Sequence, residues 1–348
     1  MRIAIIGAGF FGHHIAEEIV SHYSVAEVDI FEAELAPLLG AGTTNQCRLH
    51  MGFHYPRSSY TIYQSIMGFE RFVEKYPEYI HDVSDNLYAV HRAGFITAEQ
   101  YLAVMDSFSL DYEKLPNVTD VFCRPEQISL LLRVPERSID VRAIRARLSQ
   151  RFDGNLKTNA KVLEIDSGEG RLRTPAGWQG PYDSIINASY TDLNLGLPLE
   201  KQFRVKYELT ALVLARTSIP AAAAVTIMDG AFVSVYPAYG GLHTLSSVVH
   251  TPFRKYSDHR EFAAAFPERF RLAREDNVMQ RIGDHVREHL NLNYTVEDLW
   301  VTAKTKLATD KGDSRVTEVR KHERLLSVLC GKLDAVFAAS DAILKEIK

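Results

Sequence analysis

Arg2-Ile3-Ala4-Ile5-Ile6-Gly7-Ala8-Gly9-Phe10-Phe11-Gly12 opens the chain, and Val28-Asp29-Ile30-Phe31-Glu32 follows after a helical pattern. The first run is apolar and β-branched, as a strand buried on both faces requires. Gly7, Gly9 and Gly12 then give Gly-x-Gly-x-x-Gly where strand passes into helix. The three glycines serve different ends. Gly7 makes the tight turn, Gly9 admits a pyrophosphate to the backbone, and Gly12 lets helix and strand pack closely. The helix beginning at Phe10 and Phe11 offers free N–H groups and a positive dipole end to the phosphates. Ile15, Ile19 and Val20 form its apolar stripe. A second apolar strand ends at Glu32, 20 residues beyond Gly12, where an acid would bind the adenosine ribose. Strand, helix and acid in this order predict a dinucleotide site. A carboxylate at Glu32 argues against a phosphate on that ribose.

The 348 residues are 46% hydrophobic and 24% charged, ordinary for a globular chain long enough for two lobes. A formal charge of −4 gives no reason to expect nucleic acid or an anionic membrane as partner. No apolar run approaches the ~20 residues of a membrane span. The opening run ends in the glycine loop rather than a cleavage site, so no signal peptide is expected. Cys47, Cys123 and Cys330 have no metal-ligand spacing, which predicts reduced thiols, a cytoplasmic setting and no metal.

After the flexible loop Gly40-Ala41-Gly42-Thr43-Thr44-Asn45 comes Gln46-Cys47-Arg48-Leu49-His50-Met51-Gly52-Phe53-His54-Tyr55-Pro56-Arg57. An extended reading puts Arg48, His50, Gly52 and His54 on one face, and Leu49, Met51, Phe53 and Tyr55 on the other. A cationic strip beside a glycine suits a planar, electron-accepting ligand. Residues 59–75 read as a helix ended by Pro77, 86–92 as a strand, and 97–109 as a helix capped by Thr97. Residues 120–134 read as two strands broken near Pro125, and 140–152 as a helix opened by Asp140. Strands are expected at 156–166 and 183–188, both in the nucleotide sheet. From 201 strands dominate, at 205–216, 231–236 and 242–250, with Gly240-Gly241 as a hairpin turn. A helical stretch over 258–290 breaks near Pro267, and 300–307 is a further strand. The chain closes with a strand at 325–329, a turn at Gly331 and a helix over 332–347.

The fold class expected is α/β: a Rossmann-like dinucleotide-binding domain with a second, antiparallel-sheet substrate domain. The discontinuous first domain would take 1–80, 140–200 and 308–348, and the second 81–139 and 201–307.

These pieces together resemble the flavin-dependent oxidoreductases of the D-amino-acid oxidase and glycine oxidase superfamily. The motifs that carry the likeness are Gly7-x-Gly9-x-x-Gly12 with Glu32, 43–57, Ile185 to Ser189, and Cys330-Gly331-Lys332-Leu333. Met228-Asp229-Gly230-x-Phe232-x-Ser234-x-x-Pro237 resembles a subgroup signature. The resemblance implies FAD as cofactor and makes the Rossmann-like domain an FAD-binding domain of glutathione-reductase type. Gly7, Gly9, Phe10, Phe11 and Gly12 would hold its pyrophosphate and Glu32 its adenosine ribose. Thr43, Thr44 and Asn45 would bind phosphate and ribityl oxygens, and Val162 the adenine. Ala188 and Ser189 would line the second side, and Arg48 and His50 would flank the isoalloxazine. Gly331, Lys332 and Leu333 would turn N–H groups to the flavin N1–C2=O edge, where negative charge gathers on reduction.

The resemblance further implies oxidation of a C–N bond in an amine or amino-acid-like substrate, by hydride transfer to flavin N5. His50, His54 and His243 are the candidate bases, and Tyr207 and Tyr236 could orient substrate. The lysine that sarcosine-oxidase-like members carry over the flavin is absent from 236–245, where His243 is the nearest basic residue. Arg57 and Arg204 are candidates for a substrate carboxylate. The alternatives are an NAD-dependent dehydrogenase and a flavin-binding protein without turnover; a homo-oligomer is compatible with either.

Overall fold

A computed structural model describes residues 1–24, 27–116, 123–152, 154–308 and 317–347, the side chains of 148 and 149 excepted. The chain divides into two compact units: Met1–Thr43, Asp140–Val205 and Thr305–Lys348 form one, and Thr44–Ile139 with Lys206–Lys304 form the other.

Among the described residues the first unit is built on a six-stranded sheet. Its order is Glu318–His322, Leu325–Leu329, Ser184–Asn187, Arg2–Ile6, Glu27–Phe31 and Leu156–Lys157. All neighbours are parallel except the hairpin of the first two. The Arg2–Ile6 strand has neighbours on both edges and buries every residue after Arg2, which is why its sequence is continuously apolar. Ile15, Ala16 and Ile19 of the Phe10–His22 helix pack on Ile3, Ile5, Val28 and Ile30, and Ala339 and Ile343 of the Val336–Glu346 helix join the same cluster. The two helices also meet through His14, whose Nε2 lies 3.2 Å from Ser340 Oγ and whose ring stands edge-on to Phe337 at 4.8 Å. The parallel direction of these strands brings the loops after Ile6, Phe31, Asn187 and Leu329 to one carboxyl edge.

The second unit carries a nine-stranded sheet. Along it run Pro252–Tyr256, Val205–Thr217, His243–Ser247, Val233–Pro237, Ala223–Met228, Asp85–His91, Ile128–Arg133 and Glu113–Lys114, with Tyr294–Leu307 paired to Val205–Thr217. Among the described residues, pairing along this run is antiparallel apart from Ala223–Met228 against Asp85–His91. That parallel junction joins strands from the unit's two separate chain segments, so no hairpin is needed there. One face packs Leu87, Ala89, Val225 and Val235 against Val278, Ile282 and Val286 of the Val278–His289 helix. The other face packs Tyr88, Val90 and Leu132 against Phe53, Ile62, Tyr101 and Met105. Strand alternation between these two clusters follows the period of two.

Several expectations are corrected. The 48–57 segment is not one extended strand: only Arg48–Leu49 is, pairing with Arg137–Ile139, and turns follow. Gly52 explains the bend, with φ +116° and Ile62 Cγ2 at 2.8 Å from where a Cβ would stand. Arg137–Ile139 also pairs with Ile80–Asp82, so 44–80 belong to the second unit rather than the first. Residues 156–166 hold two short strands. Leu156–Lys157 joins the parallel sheet, while Glu164–Asp166 joins a separate three-stranded antiparallel one. The expected strand at 120–134 lies partly outside the described residues, and Ile128–Arg133 is its observed part. The Gly240-Gly241 hairpin is present, with φ +65° and +71°.

Gly12 and Gly9 should separate cleanly in stability. A Cβ on Gly12 would lie 1.9 Å from the Gly7 carbonyl oxygen, whereas one on Gly9 meets nothing within 4 Å. Gly9 also has φ −74° and ψ −178°, open to any residue. Gly12→Ala is expected to lower stability by at least about 2 kcal/mol. Gly9→Ala should stay within about 1 kcal/mol of the parent. Melting midpoints of the cofactor-stripped proteins check both; equal midpoints for the two variants would refute the distinction.

Candidate functional site

At the carboxyl edge of the parallel sheet, the turn at Gly7 has φ +100° and lies directly against the Ala188–Ser189 turn. A Cβ on Gly7 would come within 2.8 Å of the Ala188 oxygen and 3.1 Å of Ser189 Cα. Ser189 is held by Asn187, whose Oδ1 accepts from its N–H at 3.1 Å and its hydroxyl at 2.6 Å. Glu32 reaches back to the same turn: its Oε2 accepts the Ala8 N–H at 2.7 Å, and its Oε1 the Glu34 N–H at 2.9 Å. Burial raises the Glu32 carboxyl above its ordinary range, against the lowering effect of these amides. The backbone leading to Val162 runs beside it, since Asn159 and Ala160 donate to the carbonyls of Glu34 and Glu32. Thr43 closes its own loop, its hydroxyl donating to Leu38 O at 2.9 Å, and Leu38 N–H donates to Ala8 O at 3.0 Å.

Gly331, Lys332 and Leu333 follow the Leu325–Leu329 strand on this edge, and Leu333–Ala335 is a 3₁₀ turn leading into the last helix. The Lys332 side chain turns inward to Asp334, Nζ to Oδ2 3.4 Å, at 4% and 1% exposure. The N–H groups of this turn, not a free lysine charge, are therefore what it can present. The edge fits a dinucleotide. A half-buried carboxylate faces the glycine turn, and the space where Gly9 lacks a Cβ is empty of protein atoms.

In the second unit the group around Arg48 is the most polar part of a buried region. Arg48 is 8% exposed. Its Nη1 donates to Thr226 Oγ1 at 2.7 Å, and its guanidinium lies 4.2 Å from the centre of the Tyr236 ring. Its Nε and Nη2 are buried with no hydrogen-bond partner among the described residues. Beside it Glu136, 1% exposed, gathers three donors. His50 Nδ1 lies 3.2 Å from Oε2, Tyr88 O–H donates to Oε2 at 2.6 Å, and Met51 N–H donates to Oε1 at 2.8 Å. Burial pushes the Glu136 carboxyl up, but His50 and these hydrogen bonds outweigh it and hold it below its ordinary value. Burial, with Glu136 adjoining, holds the Tyr88 hydroxyl protonated well above its usual range. A carboxylate can only accept, so His50 donates from Nδ1; in the neutral ring that tautomer has its lone pair on Nε2. The His54 ring lies 5.4 Å from that of His50.

Tyr236 sits in this group, its hydroxyl donating to Arg137 O at 3.0 Å. Two other expected residues do not act with it. His243 is fully buried, with Nδ1 3.0 Å from Thr217 Oγ1 and Nε2 3.1 Å from Ala223 O. Both ring nitrogens are engaged, and burial lowers its pKa, so it is a core histidine rather than a base. Tyr207 stacks on Phe262 at 4.7 Å and meets His259 at 5.5 Å, a packing role. Arg57 is committed to Asp229, Nε to Oδ2 2.5 Å. Arg204 is exposed in the other unit. In the adjoining loop, Asn45 Oδ1 accepts the Cys47 N–H at 2.6 Å. Glu136 escapes a reading of the sequence because Val134-Pro135-Glu136-Arg137 has the look of an exposed turn; only its partners, distant along the backbone, reveal it.

No protein-family model matches the chain. It is 33% identical to the FAD-dependent monooxygenase FPY4 of Fusarium mangiferae, over 99% of this chain and 90% of that protein. It is 27% identical to the FAD-dependent monooxygenase kojA of Aspergillus flavus, over 68% and 58%. Among solved structures, NikD, an unusual amino acid oxidase of nikkomycin biosynthesis, superposes with a TM-score of 0.72 at 16% identity, over 99% of this chain and 94% of that one. Glycine oxidase from Geobacillus kaustophilus gives 0.69 at 14%, with the same coverage. At such identities the two structures speak for the fold. The full-length likeness to FPY4 therefore places this chain among the FAD-dependent oxidoreductase enzymes, on the fold it shares with NikD and glycine oxidase.

Proposed function

We propose that this enzyme oxidises a small amine or amino-acid-like molecule at a C–N bond. FAD, when bound, supplies the hydride acceptor at its N5. The observation that carries the reading is the buried group of Arg48, His50 and Glu136. A guanidinium with two donors lacking protein acceptors calls for an electron-rich oxygen that the chain does not itself supply. His50, with Nδ1–H on Glu136, offers Nε2 to take a proton from an ammonium substrate, leaving the neutral amine that can lose hydride. Tyr236 and Thr226 hold the Arg48 plane in place, and His54 stands second in line to His50.

The cofactor would be held by Gly7, Gly9, Gly12 and the N–H groups at Phe10 and Phe11 on its pyrophosphate, and by Glu32 on its ribose. Val162, Ala188 and Ser189 would line the adenosine side; Thr43, Thr44 and Asn45 would meet phosphate and ribityl oxygens. Arg48 and His50 would flank the ring, and Gly331, Lys332 and Leu333 would face its pyrimidine edge.

A second reading, oxygenation of the substrate, is favoured by the likeness to FPY4, a monooxygenase. Oxygen uptake and product mass separate the two: peroxide release marks an oxidase, an added oxygen atom a monooxygenase. The substrate class is tested by anaerobic bleaching of the FAD-loaded protein across a panel of amines and amino acids. Bleaching by members of that panel is expected, and bleaching only by other compounds would overturn the proposal.

Gly9→Ala should fold yet hold FAD at least tenfold more weakly, because its methyl takes the space a phosphate needs; unchanged retention on gel filtration would refute this. His50→Asn should retain FAD and lose about 10²-fold in kcat/KM. An unchanged value in steady-state assays would remove His50 from the reaction.

A further inference from the structure

The last turn of the Val278–His289 helix carries His285, Glu288 and His289, which the oxidoreductase reading does not use. Their spacing places them on one face, and one ligand-type atom from each lies within 4.8 Å of the others. Both imidazoles are oriented through their Nδ1 atoms. His289, 7% exposed, lies with Nδ1 3.1 Å from Gln127 Oε1. The Gln127 amide is set by its own Nε2, which donates to Glu288 O at 3.5 Å. An acceptor at Nδ1 puts the proton there and leaves the lone pair on Nε2. His285 Nδ1 lies 2.8 Å from Ser247 Oγ, which also accepts the His250 N–H at 3.0 Å. A carbonyl or hydroxyl behind each ring is the arrangement that orients metal-bound histidines.

The turn itself is tied down. Arg124 donates from Nε to Glu288 O and from Nη2 to Arg287 O, each at 2.8 Å. Arg287 is drawn aside by Asp284, Nη1 to Oδ1 2.8 Å. The competing reading is packing alone, since His289 stands edge-on to Phe232 at 5.3 Å and to His91 at 5.5 Å. His285 packs as well, edge-on to His289 at 4.9 Å and to His250 at 5.5 Å, but packing does not account for the carboxylate of exposed Glu288 converging on the two rings.

We propose that His285, Glu288 and His289 bind a divalent transition-metal ion of the zinc class, with water completing the shell. Two imidazole nitrogens and one carboxylate oxygen are a zinc-type donor set, whereas calcium and magnesium favour all-oxygen sites. Ligand atoms on a tetrahedral zinc stand about 3.3 Å apart, so the side chains must close by no more than about 1.5 Å, and exposed Glu288 can do most of it. The expectation of no metal rested on cysteine spacing; here the pattern is His-x-x-Glu-His. The site is independent of the reaction proposed for the flavin.

The test is calorimetric titration of the FAD-loaded, chelator-washed full chain with Zn²⁺ alone, paired with melting curves. One equivalent per chain is expected, with a raised melting temperature. Ser247→Ala should weaken binding about tenfold or more, and His285→Ala should abolish both uptake and the melting shift. Glu288→Gln, on an exposed side chain, should fold normally and bind at least tenfold more weakly, and it decides the matter if His285→Ala does not fold. Absence of uptake by the parent protein, or parental affinity in the Glu288→Gln or His285→Ala variant, would overturn the proposal.

Discussion

The closeness of Gly12 to the Gly7 carbonyl governs the first unit. The helix must leave the strand end so tightly that not even a methyl group fits between them. That approach brings the N-terminus of Phe10–His22 to the carboxyl edge, and it puts Ala8 within reach of Glu32. The loops after four of the strands then share one edge, because those strands run parallel. Ile15, Ile19, Ala339 and Ile343 can cover the same sheet face only with that packing. The helix–strand contact is therefore both a folding constraint and the means by which the phosphate end is assembled.

The second unit depends on a different kind of constraint. Glu136 is buried with its charge retained, and what permits this is three donors, two from the adjacent His50 and Met51 and one from Tyr88 on a separate strand. Removing any one leaves part of a desolvated carboxylate unsatisfied, at about 1–3 kcal/mol or more. The same carboxylate dictates the tautomer of His50. A structural requirement and a chemical one are thus met by one side chain.

How far the sequence could be read follows from how local each feature is. The glycine turn, Glu32, the two strands around it and the closing strand and helix are contiguous patterns, and they stand where periodicity puts them. The 48–57 segment misled because alternation was counted across Gly52, whose positive φ breaks the strand. His243 and Tyr207 were plausible from residue type alone. Only the partners at Thr217, Ala223 and Phe262, far off or across a sheet, show one to be a core histidine and the other a stacked ring. Glu136 lies 86 residues from His50, and nothing in its neighbourhood marks it. Long-range pairing of polar groups leaves no period in a sequence.

Arg48 shows why burial is more informative than charge here. Desolvating a guanidinium costs several kcal/mol. One hydrogen bond to Thr226 returns about 1.5–3 kcal/mol, and the Tyr236 face about 0.5–2 kcal/mol. Those two contacts can approach the cost only at their upper limits, and Nε and Nη2 still lack acceptors among the described residues. An apolar residue of similar volume would serve stability as well or better. Stability of the unit therefore does not account for the arginine. On the function proposed above, an acceptor bound beside it would, since such a molecule would recover the two unmade hydrogen bonds as it enters.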